Sequence, residues 1–219
     1  MENTVEYICF ICIIIPILMM MITLTGRARQ LMGFMALGLF ISLLSSEVSG
    51  ALISLTGMDN MYQITTTITP ITEEILKAIP VLIFAFLFSD DKETLLSIAF
   101  AVGVGFAVLE NSVILIRAVI ENTGSVSYLW AFIRGFGSGL MHAVTTMMIG
   151  VGMSQIKKRH KMIVPGIFAM IAMAAIYHAI YNSLVQTELK YCGFVLPLVT
   201  YLILMPRISM GRRRLKTGK

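Results

Sequence analysis

Charge is scarce in this sequence. Only 13% of its 219 residues are Asp, Glu, Lys or Arg, against about a quarter in an ordinary soluble domain. That scarcity excludes a solvated globular surface. Together with 57% apolar residues and a positive mean hydropathy it implies an all-α, polytopic membrane protein, one integral-membrane domain over residues 1–219. Cysteine is scarce too. Cys9, Cys12 and Cys192 stand in no metal-ligand pattern, and a C-x-x-C inside an apolar helix serves packing more than redox chemistry. H-E-x-x-H is absent, which removes the commonest zinc-protease helix. G-x-S-x-G and a Walker-type loop are absent as well, which removes a serine-hydrolase elbow and a P-loop phosphate site. No inverted repeat or broken helix pair, the usual marks of a transporter, is visible.

A bilayer span needs about 20 mostly apolar residues. Seven runs qualify, at roughly 7–25, 31–56, 67–88, 94–120, 128–153, 162–186 and 191–206. The last is short and holds Pro197 and Pro206. Met1–Glu6 is acidic rather than basic, so the first run is expected as a retained helix and not a cleaved signal peptide. The net charge of +5 is no nucleic-acid signal, because the basic residues cluster in short segments. Arg27 and Arg29, then Lys157, Lys158, Arg159 and Lys161, then the tail 207–219 all fall on one side of a seven-span chain. Segments 57–66 and 121–127 have no lysine or arginine. The positive-inside rule then places the N-terminus outside and the C-terminal tail in the cytoplasm.

Against that background the stretch Ile71–Pro80 stands out, with Glu73, Glu74 and Lys77 at the head of an apolar run. A charge at bilayer depth costs about 2.5–3.5 kcal/mol on insertion scales, so three of them need a function. Lys77 is four residues from Glu73 and three from Glu74, so one ammonium can reach either acid on one helix face. In the fourth run Gly103 and Gly105 mark a close helix crossing beside Glu110 and Asn111. In the fifth, Gly135, Ser138 and Gly139 share a helical face with His142. Arg134 there either snorkels to the surface or turns inward onto the acids. In the sixth, His178 and Asn182 are i,i+4, so Asn182 either fixes the imidazole or faces a cavity beside it. Glu47 could line that cavity or pair with Lys77 or Arg134, Arg117 reads as a surface anchor, and His160 in the basic loop has no role.

At about 1.5 Å per residue, Glu73 and Glu74 lie roughly 9–11 Å from the outer end of their run, His178 about 12 Å, Glu110 about 15 Å, and His142 deeper. Four helices therefore bring ionisable groups between mid-bilayer and the outer surface, as one outward-opening cavity requires. The plainer alternative is a set of interhelical hydrogen bonds, Glu110 with Asn111 and His142 with a neighbour.

Taken together, Glu73–Glu74–Ile75–Leu76–Lys77, Phe106–Ala107–Val108–Leu109–Glu110–Asn111, His142 and His178–Ala179–Ile180–Tyr181–Asn182 resemble the motifs of the PrsW family of intramembrane proteases, in the same order. The resemblance covers roughly residues 67–186. The related CAAX-type prenyl proteases and bacteriocin-immunity proteins also open with paired glutamates, but typically have histidine where this chain has Glu110. The resemblance implies cleavage of a single-pass membrane protein near its extracytoplasmic side, with an anti-sigma factor as the type of substrate in a signalling cascade.

The expected chemistry is peptide-bond hydrolysis, with an activated water and a stabilised oxyanion. Glu73 or Glu74 is the expected general base, Glu74 preferred, with Lys77 as counter-charge. His142, His178, Asn111 and Asn182 would position the water or donate to the oxyanion, and Glu110 would be a second acid, base or ligand. A zinc site is the competing chemistry, built from His142, His178 and Glu110 or Glu74 with one position open for water. No ligand spacing in the sequence selects zinc over metal-free glutamate chemistry. A transporter or ligand-binding protein could use the same cluster as a proton relay. The expected partners are the lipid bilayer and the substrate, and no nucleic acid; the sequence carries no sign of oligomeric state.

Overall fold

The computed structural model describes residues 4–121, 127–156 and 162–204. His160, the basic residues Lys157, Lys158, Arg159 and Lys161, and the tail 207–219 lie outside the described residues. In lipid a helix satisfies its own backbone, and the apolar runs fold accordingly. The helices are α1 (Thr4–Thr23), α2 (Gly26–Thr56), α3 (Met61–Thr66), α4 (Ile68–Leu87), α5 (Lys92–Glu121), α6 (Tyr128–Ile156), α7 (Ile163–Val185) and α8 (Val195–Leu204). The described residues contain no strand.

Among the described residues five helices, α1, α2, α5, α6 and α7, are long and apolar enough to cross a membrane. α4 has 20 residues, the length of a span, but carries the three charges. α8 follows a 3₁₀ turn at Lys190–Cys192, and its described residues span about 15 Å. Residues 57–66, expected as a plain connection, contain α3. Its start is set by Asn60, whose Oδ1 accepts the Gln63 N–H at 3.1 Å. Just before it, Gly57 takes the left-handed conformation that ends α2.

Contacts among α1, α2 and α5 show that α1 runs antiparallel to α2 and that α2 and α5 run parallel. Glu6 of α1, Ser46 of α2 and Arg117 of α5 meet at one end. Arg27 at the start of α2 donates to Ser97 at the start of α5 at the other, 2.8 Å apart. α5 is the central helix, packed on α6, α2, α1 and α4. Glycine makes that packing possible. A Cβ on Gly103 would collide with the backbone of His142 and Ala143, one on Gly105 with Met35, and one on Gly38 with Val102. The close crossing expected at Gly103 and Gly105 is therefore two crossings, one on α6 and one on α2. The expected glycine stripe on α6 is different. Gly135 and Gly139 face open space, and Gly137 makes the close approach instead, against Tyr181 and Phe194.

Candidate active site

α4 turns its charged face inward. Ile71, Ile75, Ile79 and Ile83 recur every fourth residue and are exposed, while Glu73, Glu74 and Lys77 are buried with Ala78, Val81 and Ala85. An isoleucine ridge toward lipid thus sends the polar residues of the same helix to the core. Lys77 and Glu74 are both fully buried and joined by a 2.6 Å salt bridge. A buried charge left alone is strongly destabilising, so each member holds the other in place.

Glu74 is further held by two donors. His178 Nδ1 lies 2.9 Å from Glu74 Oε1 and the Thr145 hydroxyl 3.2 Å from it. A carboxylate only accepts, so His178 carries its proton on Nδ1 and keeps Nε2 as the lone-pair nitrogen. His142 is bonded at both nitrogens, with Lys77 Nζ 2.9 Å from Nδ1 and Glu110 Oε2 2.6 Å from Nε2. An ammonium only donates, so His142 accepts at Nδ1 and donates from Nε2 to Glu110. Arg134 holds the other oxygen of Glu110 at 3.2 Å. Each imidazole is therefore oriented by its own carboxylate, the arrangement that commonly backs metal-ligating histidines.

Glu73 differs from its neighbours in facing both imidazoles. Its Oε2, buried with no hydrogen-bond partner as Glu74 Oε2 also is, sits 3.8 Å from Nδ1 of both His142 and His178. Ligand atoms of Glu73, His142 and His178 all lie within 4.8 Å of one another. Two imidazoles and a carboxylate form one of the donor sets that hold catalytic zinc. This donor set suits a metal ion, which would need Lys77 to leave Nδ1 of His142 and His178 to offer an unprotonated nitrogen.

The family model described as PrsW family intramembrane metalloprotease matches residues 26–208. The chain belongs to the PrsW family. No match was found among curated proteins or among solved structures. As a PrsW-family member the protein is an intramembrane peptidase, a multi-pass protein of the cell membrane, and its substrate is a membrane protein.

The PrsW-type motif residues do not all converge. Glu73, Glu74, Lys77, Glu110, His142 and His178 form one network. Asn111 is buried beside it in sequence, but its Oδ1 has no partner. Asn182, expected to touch the imidazole or the cavity, instead donates from Nδ2 to the Thr65 carbonyl at 2.9 Å and ties α7 to α3. The carboxylate near both imidazoles is Glu73, where the sequence pointed to Glu110 or Glu74. Arg134 turns inward. Glu47 accepts from the Tyr7 hydroxyl at 2.8 Å. Arg117, read as a surface anchor, pairs with Glu6 at 2.8 Å. Sequence reasoning missed Thr145, which no spacing marked. It also gave Phe106 no role beyond its motif, although its ring lies 4.8 Å from Lys77 Nζ and 4.9 Å from the His142 ring.

Proposed function

We propose that this peptidase cuts a single-pass membrane protein near the bilayer end at which α1 begins, taken as the extracytoplasmic side, and that Glu73, His142 and His178 hold a zinc ion for the reaction. The observation that carries this reading is the unpartnered Glu73 oxygen facing two imidazoles that are each braced by another carboxylate. When bound, such an ion supplies Lewis acidity and lowers the pKa of water.

The chain's own residues supply the rest. Glu74 has one oxygen saturated by Lys77, His178 and Thr145, and the other, Oε2, buried without a partner. Oε2 is the atom suited to take a proton from the attacking water and return it to the leaving amine. Lys77 fixes that carboxylate, and the Phe106 ring covers the ammonium. Glu110, clamped by Arg134, keeps His142 in one tautomer. An anti-sigma-factor type of substrate is a proposal by family resemblance.

One observation favours a second reading. The Nδ1 lone pair of His142 is occupied by Lys77, which suits metal-free chemistry with Glu73 as base. Purified full-length protein separates the two. Stoichiometric zinc, with cleavage of single-pass substrates lost on chelation and regained on adding zinc, is the expected result. Chelator-resistant cleavage by zinc-free protein, abolished in Glu73→Gln, would overturn the metal reading.

A further inference from the structure

A cavity of about 560 Å³ lies between α1, α2, α3, α4 and α5, with Glu73 and Glu110 in its lining. Its α2 wall is hydroxylic, with Ser42, Ser45, Ser46 and Ser49 following one another at helical spacing. Ser42, Ser45 and Ser49 are 7%, 2% and 8% exposed. Facing them is an apolar wall that includes Phe106, Leu109 and Val113.

Three buried polar atoms on this lining have no protein partner. They are Ser49 Oγ, Glu6 Oε2 and Glu73 Oε2. Glu6 is 7% exposed, and its other oxygen already accepts from Ser46 and Arg117. Leaving such groups unpaired is costly, so the lining is built for a polar occupant. α1, which supplies Glu6, lies before the region that matches the family.

A peptidase must reach a carbonyl that a substrate helix has already paired. The substrate must unwind locally, and an unwound backbone at membrane depth needs partners that lipid cannot give. A serine hydroxyl both donates and accepts, so it can pair either amide group whatever the substrate side chain. Ser42 to Ser49 spans about 10 Å along α2, the length of about three extended residues. We propose that this serine face binds the extended backbone of the unwound substrate segment beside the cut, which makes Ser42, Ser45 and Ser49 substrate-positioning residues. The inference rests on the single-pass cleavage reading above.

The test uses full-length protein in liposomes and a single-pass model substrate whose helix is interrupted by Gly-Pro near one end. A photoreactive residue is moved one position at a time through the stretch flanking the cut, and Glu73→Gln protein holds the substrate uncut. Crosslinks to residues 42–53 at every second substrate position are expected, because an extended chain turns alternate residues to one side. In parallel, S42A/S45A/S49A is expected to lose about 10- to 100-fold in kcat/KM, chiefly through KM, with zinc content unchanged. S49T, which keeps the hydroxyl, should retain wild-type KM. Crosslinks that miss α2 or recur every third or fourth position, or a triple alanine variant with wild-type KM, overturn the inference while wild-type cleavage stands. Failure of the wild-type protein to cut the substrate defeats the cleavage reading itself, and this inference with it.

Discussion

His142 donates through Nε2 to Glu110 at 2.6 Å, across the α5–α6 crossing that Gly103 allows to close. The contact sets the tautomer and the plane of the imidazole without Glu110 entering the Glu73–His142–His178 group. Carboxylates behind ligating histidines contribute about 10- to 100-fold in metal affinity or activity. Glu110→Ala is expected to lose zinc affinity in that range, measured by competition with a chelating dye. Unchanged affinity would remove Glu110 from the support of the site.

Gly103→Ala should force α5 and α6 apart, since the added carbon meets backbone rather than a flexible side chain. Overpacking of this kind costs about 1–3 kcal/mol. Thermal unfolding in detergent should show the loss together with reduced cleavage. Gly139→Ala, where nothing lies within 4 Å, is the control and should stay within about 0.5 kcal/mol of wild type.

Lys77→Met leaves Glu74 buried without its ion-pair partner. Breaking such a pair typically costs about 3–5 kcal/mol. Adding Glu74→Gln should recover much of the stability, because the stranded charge is gone, but none of the cleavage. A double variant that regains activity would show that Glu74 is not the group that moves the proton.

Asn182→Ala removes the link between α7 and the Thr65 carbonyl. Loss of one neutral hydrogen bond costs about 0.5–1.5 kcal/mol. Hydrogen exchange should quicken in α3, residues 61–66, with kcat reduced far less than by Glu73→Gln. Equal losses of kcat would return Asn182 to the chemistry.

Asp91, in the connection before α5, accepts from the Thr94 hydroxyl and N–H at 2.7 and 2.9 Å. The Thr94 hydroxyl bond is the main cause of a carboxyl pKa held below its usual value. A lowered folded-state value contributes stability above the unfolded value, about 3.9, and that contribution is lost as pH falls through the folded one. Protection of the Thr94 amide should therefore drop in strong acid, and Asp91→Asn should flatten that dependence.

The spans were legible because hydrophobic length is a local property. Runs of apolar residues became helices at nearly the expected places, and Gly103 and Gly105 proved to be crossings. α3 was missed because six residues with a single Asn cap carry too little periodicity to stand out from a connection. The roles of Glu73 and Glu74 were illegible for a different reason. Adjacent glutamates on one helix differ only in which partners other helices bring, and Thr145, His178 and Lys77 all converge on Glu74.

The sequence alone determined that this chain is an α-helical membrane protein and that its few buried charges form a site. Hydropathy, and the cost of a charge in lipid, follow from composition and order. The tertiary structure decided which carboxylate faces both imidazoles, which tautomer each histidine holds, and that a cavity lined in part by serines reaches Glu73 and Glu110. Those properties depend on distances of 3–4 Å between residues as far apart in the chain as Glu74 and His178. Helix packing sets such distances, and spacing along the chain does not encode them.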